Sequence, residues 1–326
     1  MPRLTAFLFL LLFPLLSPLI LLRAFETAPM PTVTDLNKLI EPGKYRVTLR
    51  IDDHNRNLVY VTPKGFKPGE KLPLVFFFHG AGGSAQQASR TYGWTEKADA
   101  ERFFVAFPEG LPLRPDSKGP FHVWRDERGE FASPIDDIHF FEVLLGKLEA
   151  VLPVDPHRIY VTGFSNGAGM TFTLGSHFSD RIAAIAPVSS QSFVRIDSLA
   201  RPLPVFYLTG TADPFIPYHG GKMTVPGLPF GHDRDYPPVQ ETVDQWVHLD
   251  GCPSKPRLVD DKDNVRTVLY GPGHRNAEIL FTTIDGNGHH WPGSLEPLPR
   301  AMSGPTLDPF NATDRIWDFF KKHPLK

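Results

Sequence analysis

The chain has a single cysteine, Cys252, in 326 residues, so no intrachain disulfide can form and a cysteine-based metal site has no support. It also has no excess of either charge: 34 Lys and Arg stand against 36 Asp and Glu. No basic stripe interleaves with aromatic residues, which leaves nucleic-acid binding without an electrostatic footprint. There is no internal repeat, and no low-complexity tract beyond the N-terminus. Without disulfides, stability must come from a packed core, which about 300 residues can supply.

Proline, in contrast, is abundant at 34 residues. It clusters at Pro226 to Pro238 and Pro292 to Pro305, a distribution that implies long, stiff surface connections. The N-terminus reads as an export signal. Arg3 supplies positive charge, and Leu4 to Leu22 contains no charged residue. The run is long for a signal-peptide core and nearly long enough to span a bilayer, but Pro14 and Pro18 weigh against a stable spanning helix. Ala24 and Ala28 do not make a clean cleavage site. The expectation is a signal peptide or N-terminal anchor over residues 1–28 and one catalytic domain over 29–326. The protein is expected to be secreted or periplasmic, with a membrane-anchored form as the alternative.

Beyond that segment the pattern alternates between strand and helix. Tyr45 to Val61 reads as an antiparallel hairpin turning near Asp52-Asp53-His54-Asn55. Apolar runs follow at Leu72 to Phe78, Phe103 to Phe107, Arg158 to Thr162, Ile182 to Val188, Val205 to Leu208 and Ile279 to Ile284. Parallel strands covered on both faces have this character. Helical periodicity marks Ile138 to Leu152, with Phe141, Leu144, Leu145 and Leu148 on one face, and Val239 to Leu249. The order implies a doubly wound, mostly parallel sheet with helices on both faces and its chemistry at the C-terminal strand ends.

Four of those strand ends carry unusual residues. Gly163-Phe164-Ser165-Asn166-Gly167 places a serine between a β-rich run and a helix-forming one, the layout of a nucleophile elbow. His79-Gly80-Ala81-Gly82-Gly83 follows a buried strand, and its glycines allow backbone N–H groups to turn inward. Ala81 and Asn166 are therefore assigned as the oxyanion-hole donors, with His79 supporting the loop. Thr209-Gly210-Thr211-Ala212-Asp213-Pro214 ends another strand, and Asp213 there is placed to orient a histidine. Asp180 and Asp197 precede that strand and fit less well. Of the 13 histidines, His289 and His290 stand out, flanked by glycines after the last apolar strand, and one of them is assigned as the base. The chain order Ser165, Asp213, His289 is that of the α/β-hydrolases.

With these motifs the chain resembles the secreted polyhydroxybutyrate depolymerase and feruloyl esterase-like group of α/β-hydrolases, from about Tyr45 to about Pro292. The resemblance is carried by Asp155-Pro156-His157-Arg158 running into Gly163-Phe164-Ser165-Asn166-Gly167, by Asp136-Asp137-Ile138 and by Gly210-Thr211-Ala212-Asp213-Pro214. Pro217-Tyr218-His219-Gly220-Gly221 and Gly288-His289-His290-Trp291-Pro292 complete it. It implies an α/β-hydrolase fold and two-step acyl transfer from polyester, feruloyl or acetyl esters, with no cofactor or metal. It also selects His289 over His290 as the base. Members of the group often carry cysteine pairs near the active site, and this chain has none. Trp291 and Trp124 are candidates to line the acyl pocket, with structural packing the competing role. Pro217 to Pro238 is expected to form a mobile rim over the site. The competing functions are a serine peptidase or acyltransferase on the same scaffold, or a binding module without catalysis. The last would be signalled by a missing triad member.

Overall fold

The hairpin foreseen around residues 45–61 is present and slightly longer. In a computed structural model, which describes residues 30–326 except 115–118, 120, 127–133, 194, 226–234 and 296–297, β1 (Thr32–Val33), β2 (Gly43–Ile51) and β3 (His54–Thr62) lead into β4 (Leu72–Phe78). Then come α1 (Ala85–Thr91), α2 (Trp94–Glu101), β5 (Phe104–Pro108), and the short β6 (Leu111–Pro112) and β7 (His122–Val123). The chain continues through α3 (Asp137–Val151), β8 (Val154–Phe164), α4 (Asn166–His177), β9 (Ala184–Val188) and β10 (Val205–Gly210). After β11 (Gly221–Lys222), β12 (Asp235–Tyr236) and α5 (Val239–Leu249) come β13 (Arg257–Lys262), β14 (Val265–Tyr270) and β15 (Ile279–Ile284). The last elements are α6 (Arg300–Ser303) and α7 (Ala312–Phe320). The expected N-terminal signal or anchor lies outside the described residues. Among those that are described, no helix is long and apolar enough to cross a membrane.

Eleven strands form one sheet in the order β1-β2-β3-β5-β4-β8-β9-β10-β15-β14-β13. Neighbours from β5 through β15 pair in parallel, and antiparallel hairpins close both sides. Every residue of β4, β5, β9 and β10 is buried. Helices cover both faces there, so these strands read as continuous apolar runs instead of alternating. The hairpin turn uses Asp52 and Asp53, both at positive φ (50° and 59°), a conformation that Asp tolerates better than most side chains. α3 begins at Asp137 because Asp136 caps it, accepting the His139 N–H at 2.8 Å. Its Phe140, Phe141, Leu144, Leu145 and Leu148 enter the core.

The β13–β14 hairpin was not foreseen. β13 (RLVDDK) is exposed along nearly its whole length, and its charges blunt the sheet edge rather than fill a core. The segment 217–238 also differs from the expected rim. Its central residues 226–234 lie outside the described ones, but Met223, Val225 and Tyr236 on either side are buried in the core. β11 and β12 pair through Gly221 and Tyr236, closing the base of the segment.

Asp250, at the end of α5, is completely buried. One carboxylate oxygen accepts the Leu203 N–H at 2.7 Å, and the other has no hydrogen-bond partner among the described residues. Burial pushes its pKa up to about 7, against smaller lowering effects from the Leu203 N–H and from Arg201. A raised acid pKa means that the folded state holds the proton more tightly than the unfolded chain. Stability is therefore lost as pH rises from about 4, where a free aspartate ionises, to about 7. The thermal midpoint of Asp250→Asn should match wild type near pH 4 and exceed it by about 5 °C at pH 8. Melting curves that stay superimposed across this window would contradict the assignment.

Candidate active site

The site begins at the turn from β8 to α4. Ser165 sits at φ 56°, ψ −122°, a strained backbone for a residue with a side chain, at a cost of about 1–3 kcal/mol. The strain is held from both sides. The Ser165 N–H donates to the Val188 carbonyl at 3.0 Å, and the Ser165 carbonyl accepts from Ala168 and Gly169 at 2.9 and 3.0 Å. Helix and strand approach so closely here that a Cβ at Gly167 would stand 2.1 Å from the Phe78 carbonyl oxygen. At Gly163 it would meet the Gly167 carbonyl at 2.4 Å. The two glycines are thus required by contact as well as by the turn. Ser165 itself stays half-buried and its side chain caps nothing.

The loop after β4 runs beside this serine: a Cβ on Gly80 would lie 3.3 Å from that of Ser165. Gly82 at φ 76° turns the loop, its N–H donating to the His122 carbonyl at 2.7 Å. Among the described residues, no hydrogen bond uses the N–H of Ala81 or Asn166. Both are half of what an oxyanion hole requires, namely donors left free beside the nucleophile.

His79 fixes the loop from beneath. It is fully buried, and its Nε2 accepts the Gly110 N–H at 3.0 Å, so the proton sits on Nδ1 and is donated to the Gly80 carbonyl at 2.7 Å. Burial, partly offset by that carbonyl, lowers its pKa to about 4. It is a neutral strut.

Asn166 is fixed by a partner far away in sequence. Its side-chain oxygen accepts the Trp124 N–H at 2.7 Å, and its Nδ2 donates to the Trp124 carbonyl at 3.0 Å and to Asp126 at 3.3 Å. Trp124 is tied in turn, its indole N–H donating to the His79 carbonyl at 3.0 Å. Asp137 secures the next residue, accepting the Arg125 N–H at 2.9 Å and the buried Arg56 guanidinium at 2.6 Å. Arg56 also lies over the Phe140 ring, 3.7 Å from its centroid. Sequence reading noted Asp136-Asp137-Ile138 only as a mark of resemblance. It missed Arg56, Arg125 and Asp126, whose partners have no local signature.

The candidate acid and base, Asp213 and His289, meet across the C-terminal ends of β10 and β15. His289 Nδ1 and Asp213 Oδ2 are 2.7 Å apart, and both residues are buried. The other Asp213 oxygen accepts the N–H groups of Phe215 and Ile216 at 2.8 and 3.0 Å. The imidazole packs against Phe164 and Phe215 with ring centroids at 4.7 and 4.4 Å. Phe164 immediately precedes Ser165, so this contact brings His289 alongside the elbow. His290 points its chemistry elsewhere, its Nε2 being 2.7 Å from Asp308. The structure therefore places His289, not His290, on Asp213.

The two tryptophans are packing residues here. Trp124 is wedged against Phe78 and Phe140, and Trp291 against Phe77 and Tyr92, with at most 1% of either exposed. Neither offers a face to a ligand, which corrects the expectation that they line the pocket. Phe121 is the contrasting case: it is exposed and lies against Gly82 of the oxyanion loop. Cys252 is half-buried, with its thiol pushed up to about 12 by burial. Among the described residues no group of three or more His, Cys, Asp or Glu side chains is arranged to hold a metal.

No family model matches the chain. Its curated relatives include feruloyl esterase B of Piromyces equi, 28% identical over 72% of this chain and 42% of that protein. Feruloyl esterase D of Neurospora crassa is 23% identical over 85% of each chain. Poly(3-hydroxyalkanoate) depolymerase C of Paucimonas lemoignei is 23% identical over 68% of this chain and 55% of its own. The chain thus spans only about half the length of two of these relatives. Among solved structures, acetyl xylan esterase from Aspergillus awamori superposes with a TM-score of 0.58 at 15% identity, over 86% of this chain and 99% of that one. In sequence the chain is similar to feruloyl esterases and to a poly(3-hydroxyalkanoate) depolymerase, and its fold is that of the α/β-hydrolases.

Proposed function

We propose that the protein is an exported serine carboxylic-ester hydrolase acting on feruloyl, acetyl or polyhydroxyalkanoate-type esters. The buried 2.7 Å contact between His289 and Asp213, beside a strained serine elbow, is the observation that carries this reading. His289 Nε2 takes the Ser165 hydroxyl proton as the oxygen attacks the ester carbonyl, forming the new C–O bond. The N–H groups of Ala81 and Asn166 receive the resulting oxyanion, a contribution of about 3–4 kcal/mol per donor in comparable sites. The proton then passes from His289 to the departing alcohol as its C–O bond breaks. Water, deprotonated by the same imidazole, releases the acid and regenerates the serine. Asp213 holds the ring in the tautomer that both steps need. The scheme draws on protein groups alone.

Phe121, exposed beside the oxyanion loop, is the apolar side chain we assign to contact the acyl or alcohol group. Export rests on the uncharged run from Leu4 to Leu22 behind Arg3. Short-chain p-nitrophenyl esters, methyl ferulate, acetylated xylan and a short-chain polyester, assayed side by side, test the reading. Turnover of at least one of these, stopped by a serine-directed phosphonate, is expected. Hydrolysis of matched p-nitroanilides at comparable rates would instead indicate a peptidase.

A further inference from the structure

Opposite the strand ends that carry Ser165, Asp213 and His289 lies a concavity with a different chemistry. A cavity of about 320 Å³ is lined by Arg201 and Pro204 before β10, by Arg275 and Asn276 before β15, and by Lys322 and His323 after α7. β10 and β15 run in parallel register from Val205 and Ile279 at this end, while Asp213 and His289 leave from the other. The six residues of β10 put about 20 Å between the two ends.

Three cations converge here without carboxylates paired to them. Among the described residues, Arg201, Arg275 and Lys322 make no ion pair. The carboxylate at the wall, Glu278, is engaged by His323 at 3.1 Å and is also felt by Lys322 and Arg257, while Lys326 adds a further cationic side chain to the lining. Asp180 and Asp250 act on Arg201 only at longer range, and Arg275 opposes its charge more strongly than either. Arg201 Nε is buried with no hydrogen-bond partner among the described residues. Arg275 and Asn276 both occupy left-handed backbone, at φ 51° and 61°, which for Arg costs energy that the turn must recover elsewhere. In a chain whose net charge is −2, this much positive charge in one concavity, balanced only by carboxylates that form no ion pair with it, has a cost in self-repulsion. An oxyanion bound between guanidinium forks would relieve that repulsion and satisfy the orphaned donor.

We propose that this cavity binds a phosphate- or sulfate-type oxyanion, free or carried on a sugar, at a site separate from the ester-hydrolysing centre. Arg275 and Arg201 grip the anion and Lys322 adds charge at the mouth.

The test uses the full chain and three variants, Arg275→Gln, Lys322→Gln and the double substitution, at pH 8 and constant ionic strength. Inorganic phosphate and a hexose phosphate are titrated separately, with sodium chloride as the compensating salt. Wild type should show a saturable rise in Tm of about 2–4 °C. The rise should shrink in each single variant and vanish in the double one, while p-nitrophenyl ester turnover without phosphate stays unchanged in all. A larger shift with the hexose phosphate identifies a carried group, and equal shifts identify the free anion. No saturable shift in wild type, or the same shift in the double variant, overturns the proposal. Because Tm is the readout, the result does not depend on which ester the enzyme takes.

Discussion

Ser165→Ala should lower kcat/KM on a p-nitrophenyl ester by about 10⁴ to 10⁶, the range seen when a serine-hydrolase nucleophile is removed. The fold should survive. The Ser165 side chain makes no capping hydrogen bond, so its loss orphans no partner, and the backbone contacts that hold the elbow are untouched. A thermal midpoint within about 2 °C of wild type would separate lost chemistry from lost structure. His289→Ala should be about as damaging, because nucleophile and base act as a unit. His290→Ala is the control. It breaks the contact with Asp308 and should lower stability while activity persists. An active His289→Ala variant beside an inactive His290→Ala one would reverse the base assignment.

Asp213→Asn should reduce turnover by about 10⁴ with little change in KM, and the reason lies in the orientation of the carboxylate. One of its oxygens accepts two backbone N–H groups, from Phe215 and Ile216. In the amide variant only the carbonyl oxygen can occupy that position, so the NH₂ group must face His289. It would donate to Nδ1, which then gives up its proton to become an acceptor. The ring hydrogen moves to Nε2, the atom that has to receive the serine proton. The imidazole would be correctly placed and in the wrong tautomer. Kinetics on the variant, with proton NMR of the ring to read the tautomer, check both halves. Near-normal turnover would mean that Asp213 only supports the loop.

The parts of the site legible in the sequence are those with a local signature. The elbow could be read because Gly163, Ser165 and Gly167 lie within five residues, and the structure gives each glycine a contact that admits no side chain. The central strands could be read because parallel strands are buried on both faces. The β13–β14 hairpin left no such mark, since Leu258 and Val259 are exposed among charges. Met223, Val225 and Tyr236 are core residues scattered through a Pro- and Gly-rich stretch, without a period to identify them. The tie between Asn166 and Trp124 spans 42 residues, and that between Arg56 and Asp137 spans 81. Such pairs exist only in three dimensions, which is also why the sequence leaves Trp124 and Trp291 open between pocket lining and packing, whereas in the fold both are buried.

The distance along the chain between acid and base has a consequence for how the protein matures. His289 joins Asp213 across 76 residues, and that junction depends on β15 docking parallel to β10. Parallel pairings between distant segments carry a loop-closure cost before any contact rewards it, and they form slowly. The serine turn, by contrast, is built from a strand and helix adjacent in sequence. On the proposed assignments, a chain emerging during synthesis carries its nucleophile well before its base exists, and should remain inert until the final third has docked. Recovery of ester hydrolysis after dilution from denaturant should for that reason lag behind recovery of helical signal, making catalysis itself a clock for the last step of folding.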